Sequence, residues 1–477
     1  MSAGVAGLAI SCWPSWSVAL ILLALICTAI IPWGFRRSYS FRLTVFFVLL
    51  SLADFGKRLV FLVDDQAGWS QYIIFLIPYA YYFVALLAPW GLRRLRHGFT
   101  RSQWLVLAML ALILLNTWLA KDTTPLAKLV STALLAMPWM MICVASDHAE
   151  AATPVWRAVV AVGVVSASYG AVQLLFGPTP IEMRWAEASN QFSIGASQVT
   201  AFLTDRGRFG VANVWRPIGL QADAFTFGLF LLNAFCGAWL LRLHRSITRI
   251  GFILASVFLL GGIVLSLVRT VWVAAAVMIA YAILAKRARW MARPAAVVSF
   301  MAISFFGASI AVNMLYSVRQ LVDVSNNPII ARALTFGTLY DRIRSVDMFW
   351  KSLPQLWLRG YGYAADSWIT SKFGGFTSLP VNFSEHNVVV ELLWYFGLPG
   401  LILFSAVVFV ALSHVWRYSP NDGLARATLG LLAAYVLGMY FTGLANGAVF
   451  LNFYFFFMLG NMLAATRVMR ETVPREG

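Results

Sequence analysis

Charge is scarce in this chain, and acid is the scarcest part of it. Of 477 residues only 12% are charged, with 19 carboxylates against 36 lysines and arginines. So little charge, at 61% hydrophobic residues, excludes a soluble globular domain and equally a disordered one. The four cysteines, Cys12, Cys27, Cys143 and Cys236, lie in or beside apolar stretches with no CxxC spacing, which excludes a disulfide framework. The five histidines form no HExxH or comparable cluster, so neither a metal site nor a cofactor is expected. No internal repeat stands out, and the charges gather at one face rather than near the midplane, which argues against a transporter path.

Long apolar windows are abundant. A helix needs roughly 20 mostly apolar residues to cross about 30 Å of hydrocarbon. Windows of that kind fall near 14–33, 41–63, 70–90, 103–120, 125–145, 155–176, 222–241, 250–267, 270–285, 294–316, 388–412, 424–441 and 448–466. The expected fold class is therefore all-α, a polytopic membrane protein of 12 to 13 transmembrane helices. Five segments follow: N-terminal spans over 1–176, a first long loop over 177–221, central spans over 222–316, a larger loop over 317–387, and C-terminal spans with a tail over 388–477. Both loops carry aromatics and charges, which favours folded caps over linkers.

Basic residues are retained on the cytoplasmic side of a membrane. Here they cluster at Arg36, Arg37 and Arg42; at Arg93, Arg94, Arg96 and Arg101; at Arg242, Arg245 and Arg249; and at Lys286, Arg287, Arg289 and Arg293. Arg417, Arg426, Arg467, Arg470 and Arg475 complete the set. With thirteen spans all of these share one side, so both long loops face outward. The first span has no basic residue before it, and reads as a retained helix with its N-terminus outside rather than a cleaved signal. The formal charge of +17 is then a matter of anionic headgroups, and nucleic acid is not an expected partner.

Ionisable groups that cytoplasmic anchoring does not explain tend to mark ligand sites. Arg216 precedes a span in VWRPIGLQADAF, Arg269 sits between two spans in LSLVRTVWV, and Arg342 and Arg344 lie in the larger loop. His386 stands in SEHNVVVELL at its end. Each has a plainer use. Arg216 can snorkel to headgroups, and Arg342 and Arg344 can pair with Asp341 and Asp347 on a helix surface. Asp54, Lys57 and Arg58 form another polar group inside a span, read as a structural ion pair. Trp185, Phe192, Tyr361, Tyr363, Trp368, Phe373 and Phe376 either face a ligand or pack the loops.

Taken together these residues resemble the O-antigen ligase and Wzy-type polysaccharide polymerase superfamily. The resemblance rests on Arg216 to Gly219 opening a span, Ser266 with Arg269 in a turn, and Arg342 followed by Gly360 and Gly362. His386-Asn387, followed by Gly397, Pro399 and Gly400, completes it, and the whole covers about residues 200–412. The chain departs from the family at Ala224 and Phe225, where Pro-Asn is common, at Leu267 and Val268, which separate serine from arginine, and at Tyr395, where an acid is frequent. The resemblance implies a GT-C-like glycosyltransferase in a bacterial inner membrane with an outward-facing site. Its donor is an undecaprenyl diphosphate-linked glycan and its acceptor a sugar hydroxyl, with a flippase and a chain-length regulator as pathway partners.

Chemistry of that kind asks for fixed cations at a departing diphosphate and for a base at the acceptor hydroxyl. Planar guanidinium forks suit the first task, and an imidazole of ordinary pKa near 6.5 the second. Arg216, Arg269 and Arg342 are the expected clamp and His386 the expected base. Arg344, Glu385, Asn387 and Glu391 are expected at the substrate, with Glu385 or Glu391 either orienting the His386 ring or binding sugar hydroxyls and Asn387 also capping the following helix.

Overall fold

The computed structural model describes residues 37–61, 69–121, 123–189, 216–300, 358–363, 388–417, 430–436 and 452–472. Among these the regular elements are helices, which we number α1 (Tyr39–Phe61), α2 (Trp69–Tyr81), α3 (Ala88–His97), α4 (Arg101–Trp118), α5 (Pro125–Asp147), α6 (Ala152–Phe176), α7 (Pro180–Ser189), α8 (Ala224–Leu243), α9 (Arg249–Leu265), α10 (Arg269–Arg287), α11 (Val388–Arg417) and α12 (Asn452–Thr472). Seven of the described helices are long and apolar enough to cross a membrane: α1, α4, α5, α6, α8, α10 and α11. α9 and the first part of α12 are apolar but shorter. The window at 14–33 lies outside the described residues, and those at 294–316, 424–441 and 448–466 lie partly outside them.

Helix starts follow from local chemistry. Thr100 accepts from the Gln103 N–H while the Gln103 side chain accepts from the Thr100 N–H, a reciprocal cap opening α4. Thr124, Asp223 and Thr248 cap α5, α8 and α9 in the simpler one-way form. α2 and α3 are joined by a π-helical turn over Tyr82–Leu87. The carbonyls of Ala85 and Leu86 at this widened turn receive the Arg42 guanidinium at 2.9 Å and the Tyr39 hydroxyl. Arg42, expected simply as a headgroup anchor, thus also satisfies a backbone group inside the protein.

The helices sort into two units, interleaved along the chain. The first comprises residues 1–98 and 150–268. In it α8 is sheathed by α6 and α9, and nearly every side chain from Ala224 to Leu241 is buried. Small residues allow the close approach: a Cβ on Gly163 of α6 would stand 2.7 Å from the Ala234 Cβ of α8. α1 packs on α2, α6 and α7.

The second unit comprises residues 99–149 and 269–477. Its most extensive helix pair among the described residues is α5 with α12, where Trp139 lies 4.6 Å from Phe456. α11 packs on α4 and α12. It is not a straight span, because Gly397 takes φ +66° and ψ −170° and divides it into two halves, with Pro399 just beyond.

Candidate functional site

In the first unit the chain entering α8 is held by side chains at almost every backbone group. Gln173 of α6 accepts from the N–H groups of Ile218 and Gly219 at 3.0 and 2.8 Å. The Ser166 hydroxyl accepts from Leu220 N–H at 3.0 Å, and Asp54 of α1 accepts from Ala222 N–H at 3.1 Å. Arg58 donates to the carbonyls of Gly219, at 2.8 Å, and Gln221. Gly219 lies at φ +54°, and a side chain there would press on the Phe227 ring and on Ser166 Oγ at 2.6 Å. Glycine is demanded at this point by conformation and by space alike.

Asp54 and Lys57 form the ion pair expected inside α1, at 2.6 Å. Arg58 goes further, pairing with Glu182 of α7 at 2.9 Å. Glu182 also accepts from the Tyr169 hydroxyl, the Gln173 amide and the Thr179 backbone N–H and hydroxyl, at 2.7 to 3.1 Å. Trp185, on the next turn of α7, is buried with its ring 5.4 Å from the Arg58 guanidinium. Its aromatic face therefore serves α7 packing rather than a sugar. At the end of the segment the Asp223 carboxylate accepts from the Thr226 N–H and hydroxyl, both at 2.8 Å.

Arg216 begins this segment and is 4% exposed. Its Nη2 donates to the Leu267 carbonyl at 2.9 Å. Leu267 stands at φ +54°, a left-handed residue just after α9. Ser266 secures the turn, donating to the Ile263 carbonyl at 2.7 Å and accepting from Val268 N–H at 3.4 Å. The Arg216 segment and the serine turn, two motifs 50 residues apart in the chain, are thus joined by a buried hydrogen bond. Arg269 follows two residues after Leu267 as the first residue of α10.

In the second unit the Gly-x-Gly pair has a definite task. The bend at Gly397 and the missing N–H of Pro399 leave carbonyls at the end of the first half of α11 without helical donors. Tyr361 N–H donates to the Trp394 carbonyl at 2.8 Å, Gly362 N–H to that of Tyr395 at 3.0 Å, and the Asn116 amide to that of Phe396 at 3.3 Å. Gly360 and Gly362 hold φ of +68° and +79°. A Cβ on Gly362 would collide with the Asn116 carbonyl oxygen, and one on Gly360 would lie 2.6 Å from Phe396 N. Tyr361 packs on Trp394 at 5.3 Å, and the buried Tyr363 on Tyr395 at 5.2 Å.

Glu391 lies in the first half of α11 and is 2% exposed. It borders a cavity of ≈ 20 Å³ with Pro138, Trp139, Tyr395, Asn452 and Phe456, room for about one water and not for a sugar. His386, Asn387, Glu385, Arg342 and Arg344 lie outside the described residues, as does the side chain of Arg269. Among the described residues no group of three histidine, cysteine or acidic side chains could hold a metal ion. Reading the sequence missed Glu182, Gln173, Ser166 and Asn116. Three of them sit in otherwise apolar helices, and that isolation was the available signal.

Residues 254–405 match the family model described as O-antigen ligase, Wzy_C. The matched stretch contains the serine turn with Arg269, the Gly-x-Gly pair, His386 and the break at Gly397, and leaves the Arg216 segment on its N-terminal side. Neither a curated protein nor a solved structure matches the chain.

Proposed function

We propose that this chain is a bacterial inner-membrane glycosyltransferase that moves a glycan en bloc from undecaprenyl diphosphate to a sugar hydroxyl, and that it polymerises O-antigen or exopolysaccharide repeat units. The observation that carries the reading is the O-antigen ligase match over 254–405, because that stretch holds most of the cations and the one histidine singled out by the sequence. Ligation of finished O-antigen to lipid A core and transfer of an oligosaccharide to protein are the alternative outcomes of the same chemistry. In each, the acceptor oxygen bonds to the anomeric carbon as the bond to the diphosphate breaks. The electron pair leaves on the diphosphate oxygen, and the acceptor proton passes to His386.

Arg216, Arg269 and Arg342 oppose the charge that develops on the departing diphosphate, so the step needs no metal ion. Purified protein in liposomes with a lipid-linked repeat unit tests this, read as loss of donor and growth of a glycan ladder; transfer of a single finished glycan to lipid A core favours ligase instead. Each arginine-to-alanine variant is expected to lose about 1.5 to 3 kcal/mol of transition-state stabilisation, on the order of ten- to hundred-fold in rate. Lysine at the same positions recovers part of it, and EDTA leaves the wild type active. Full activity in all three alanine variants at normal membrane abundance overturns the clamp.

An outward-facing site makes its own demand on topology. In a background without the four native cysteines, cysteines at Ser197 and Phe376 are expected to react with a membrane-impermeant maleimide in spheroplasts, and one at Arg289 to stay unlabelled. Preferential labelling at Arg289 inverts the orientation and rejects a site on the outer face.

A further inference from the structure

The proposed clamp needs Arg216 to be aimed, and arginine by itself is a long and mobile side chain. What fixes the backbone that carries it is visible in the first unit. From Ile218 to Ala222, the backbone N–H groups of residues 218, 219, 220 and 222 go to Gln173, Ser166 and Asp54, while the carbonyls of 219 and 221 go to Arg58. One guanidinium thus closes three acceptors from two separate stretches of chain: the Glu182 carboxylate and the carbonyls of Gly219 and Gln221. Gln173 ties the same two stretches from the other side, donating to Glu182 at 2.7 Å and accepting from Ile218 and Gly219.

We propose that Arg58, seated on Glu182, is a positioning residue that locks the register of the Arg216 to Asp223 segment and so sets where the Arg216 guanidinium stands. The inference rests on the proposed function for its consequence in catalysis, and on the first unit alone for its geometry. It accounts for a buried charge pair whose desolvation cost a pair of apolar residues would avoid. The planar fork divides the work, Nη1 serving the Glu182 carboxylate and the Gly219 carbonyl and Nη2 the Gln221 carbonyl, whereas a lysine would have to serve all three from one nitrogen on a flexible stem. Arg58 lies 158 positions before Arg216, and well before the matched stretch that begins at residue 254. The polar group in α1 is therefore assigned to the service of a segment with which it shares no local sequence pattern.

The test compares the wild type with Arg58→Lys, full-length in nanodiscs, by two independent measurements. Backbone hydrogen exchange followed by mass spectrometry is expected to quicken at least tenfold over residues 216–223, with the other peptides unchanged. Turnover of the lipid-linked donor is expected to fall in kcat by roughly ten- to hundred-fold, with KM for the donor held within about twofold. Where Arg58→Lys does not accumulate, the double variant Arg58→Gln with Glu182→Gln, which removes both charges together, carries the same two readings. Unchanged exchange over 216–223 overturns the proposal. Faster exchange throughout the chain overturns it as well, since Arg58 would then hold the fold at large. A wild type that leaves every lipid-linked donor intact speaks against the proposed function, and the exchange comparison then decides the role of Arg58 by itself.

Discussion

Replacing His386 with alanine is expected to stop glycan transfer while the protein still reaches the membrane at normal abundance and still binds lipid-linked donor. A positioned general base contributes about 10²- to 10⁴-fold, and an imidazole is the side chain whose ordinary pKa lets it take a proton near neutrality. His386→Gln separates that role from a positional one. It keeps a polar, hydrogen-bonding group of similar reach but cannot accept the proton, so it is expected to be nearly as inactive as alanine. The measurement is donor consumption by reconstituted protein across pH 6 to 8. A glutamine variant at wild-type rate over that range removes His386 from proton transfer and directs attention to Glu385. Glu391 is a poorer substitute, being buried beside a cavity with room for about one water.

The largest effect on folding is expected from Gly362→Ala. At φ +79° a side chain costs about 1 to 3 kcal/mol in backbone strain alone. The added methyl also meets the Asn116 carbonyl oxygen, a backbone atom with little freedom to move aside. Relief of that clash pulls the Gly362 N–H away from the Tyr395 carbonyl and leaves a buried acceptor at the break in α11. A drop of several degrees in the melting midpoint of detergent-solubilised protein, with reduced membrane abundance, is the expected reading. Asn116→Ala, which removes only the amide bond to Phe396, is expected to cost roughly 1 kcal/mol and to be milder. A Gly362→Ala protein that melts with the wild type would mean that the Gly-x-Gly pair does not support the broken helix.

The helices were legible in the sequence because lipid leaves a chain few alternatives. Wherever an apolar window falls within the described residues, helix stands over most of it. The starts came only with the structure, in the caps of Thr100, Thr124, Asp223 and Thr248. The broken course of α11 was half legible. Gly397, Pro399 and Gly400 stood out as residues of the resemblance while 388–412 read as one span, and the donors that make the break stable come from Tyr361, Gly362 and Asn116, far away in sequence. The polar core of the first unit was less legible still. Asp54, Lys57 and Arg58 could be seen as a group within a span, whereas nothing in the sequence around Glu182, inside the stretch 177–221, marks it as their partner. Its partnership with Arg58 spans 124 positions and obeys no periodicity. Gln173 and Ser166 look like incidental polar residues until the backbone they hold is placed beside them.

The pairing of α5 with α12 has a consequence for how the protein is made. α5 closes at Asp147, while its most extensive partner among the described residues begins at Asn452, about 300 residues later. At roughly 5 to 20 residues per second of synthesis, α5 waits on the order of 15 to 60 seconds in the bilayer before that partner leaves the ribosome. Its helix is apolar enough to be stable there alone, but Ala145, which Gly460 approaches closely, and Trp139, which Phe456 covers, face lipid or a temporary neighbour in the meantime. Among the described residues α12 is therefore the helix whose arrival completes the packing around α5. A chain cut short before Asn452 would insert most of its spans and still present the membrane's proteases with an unfinished bundle.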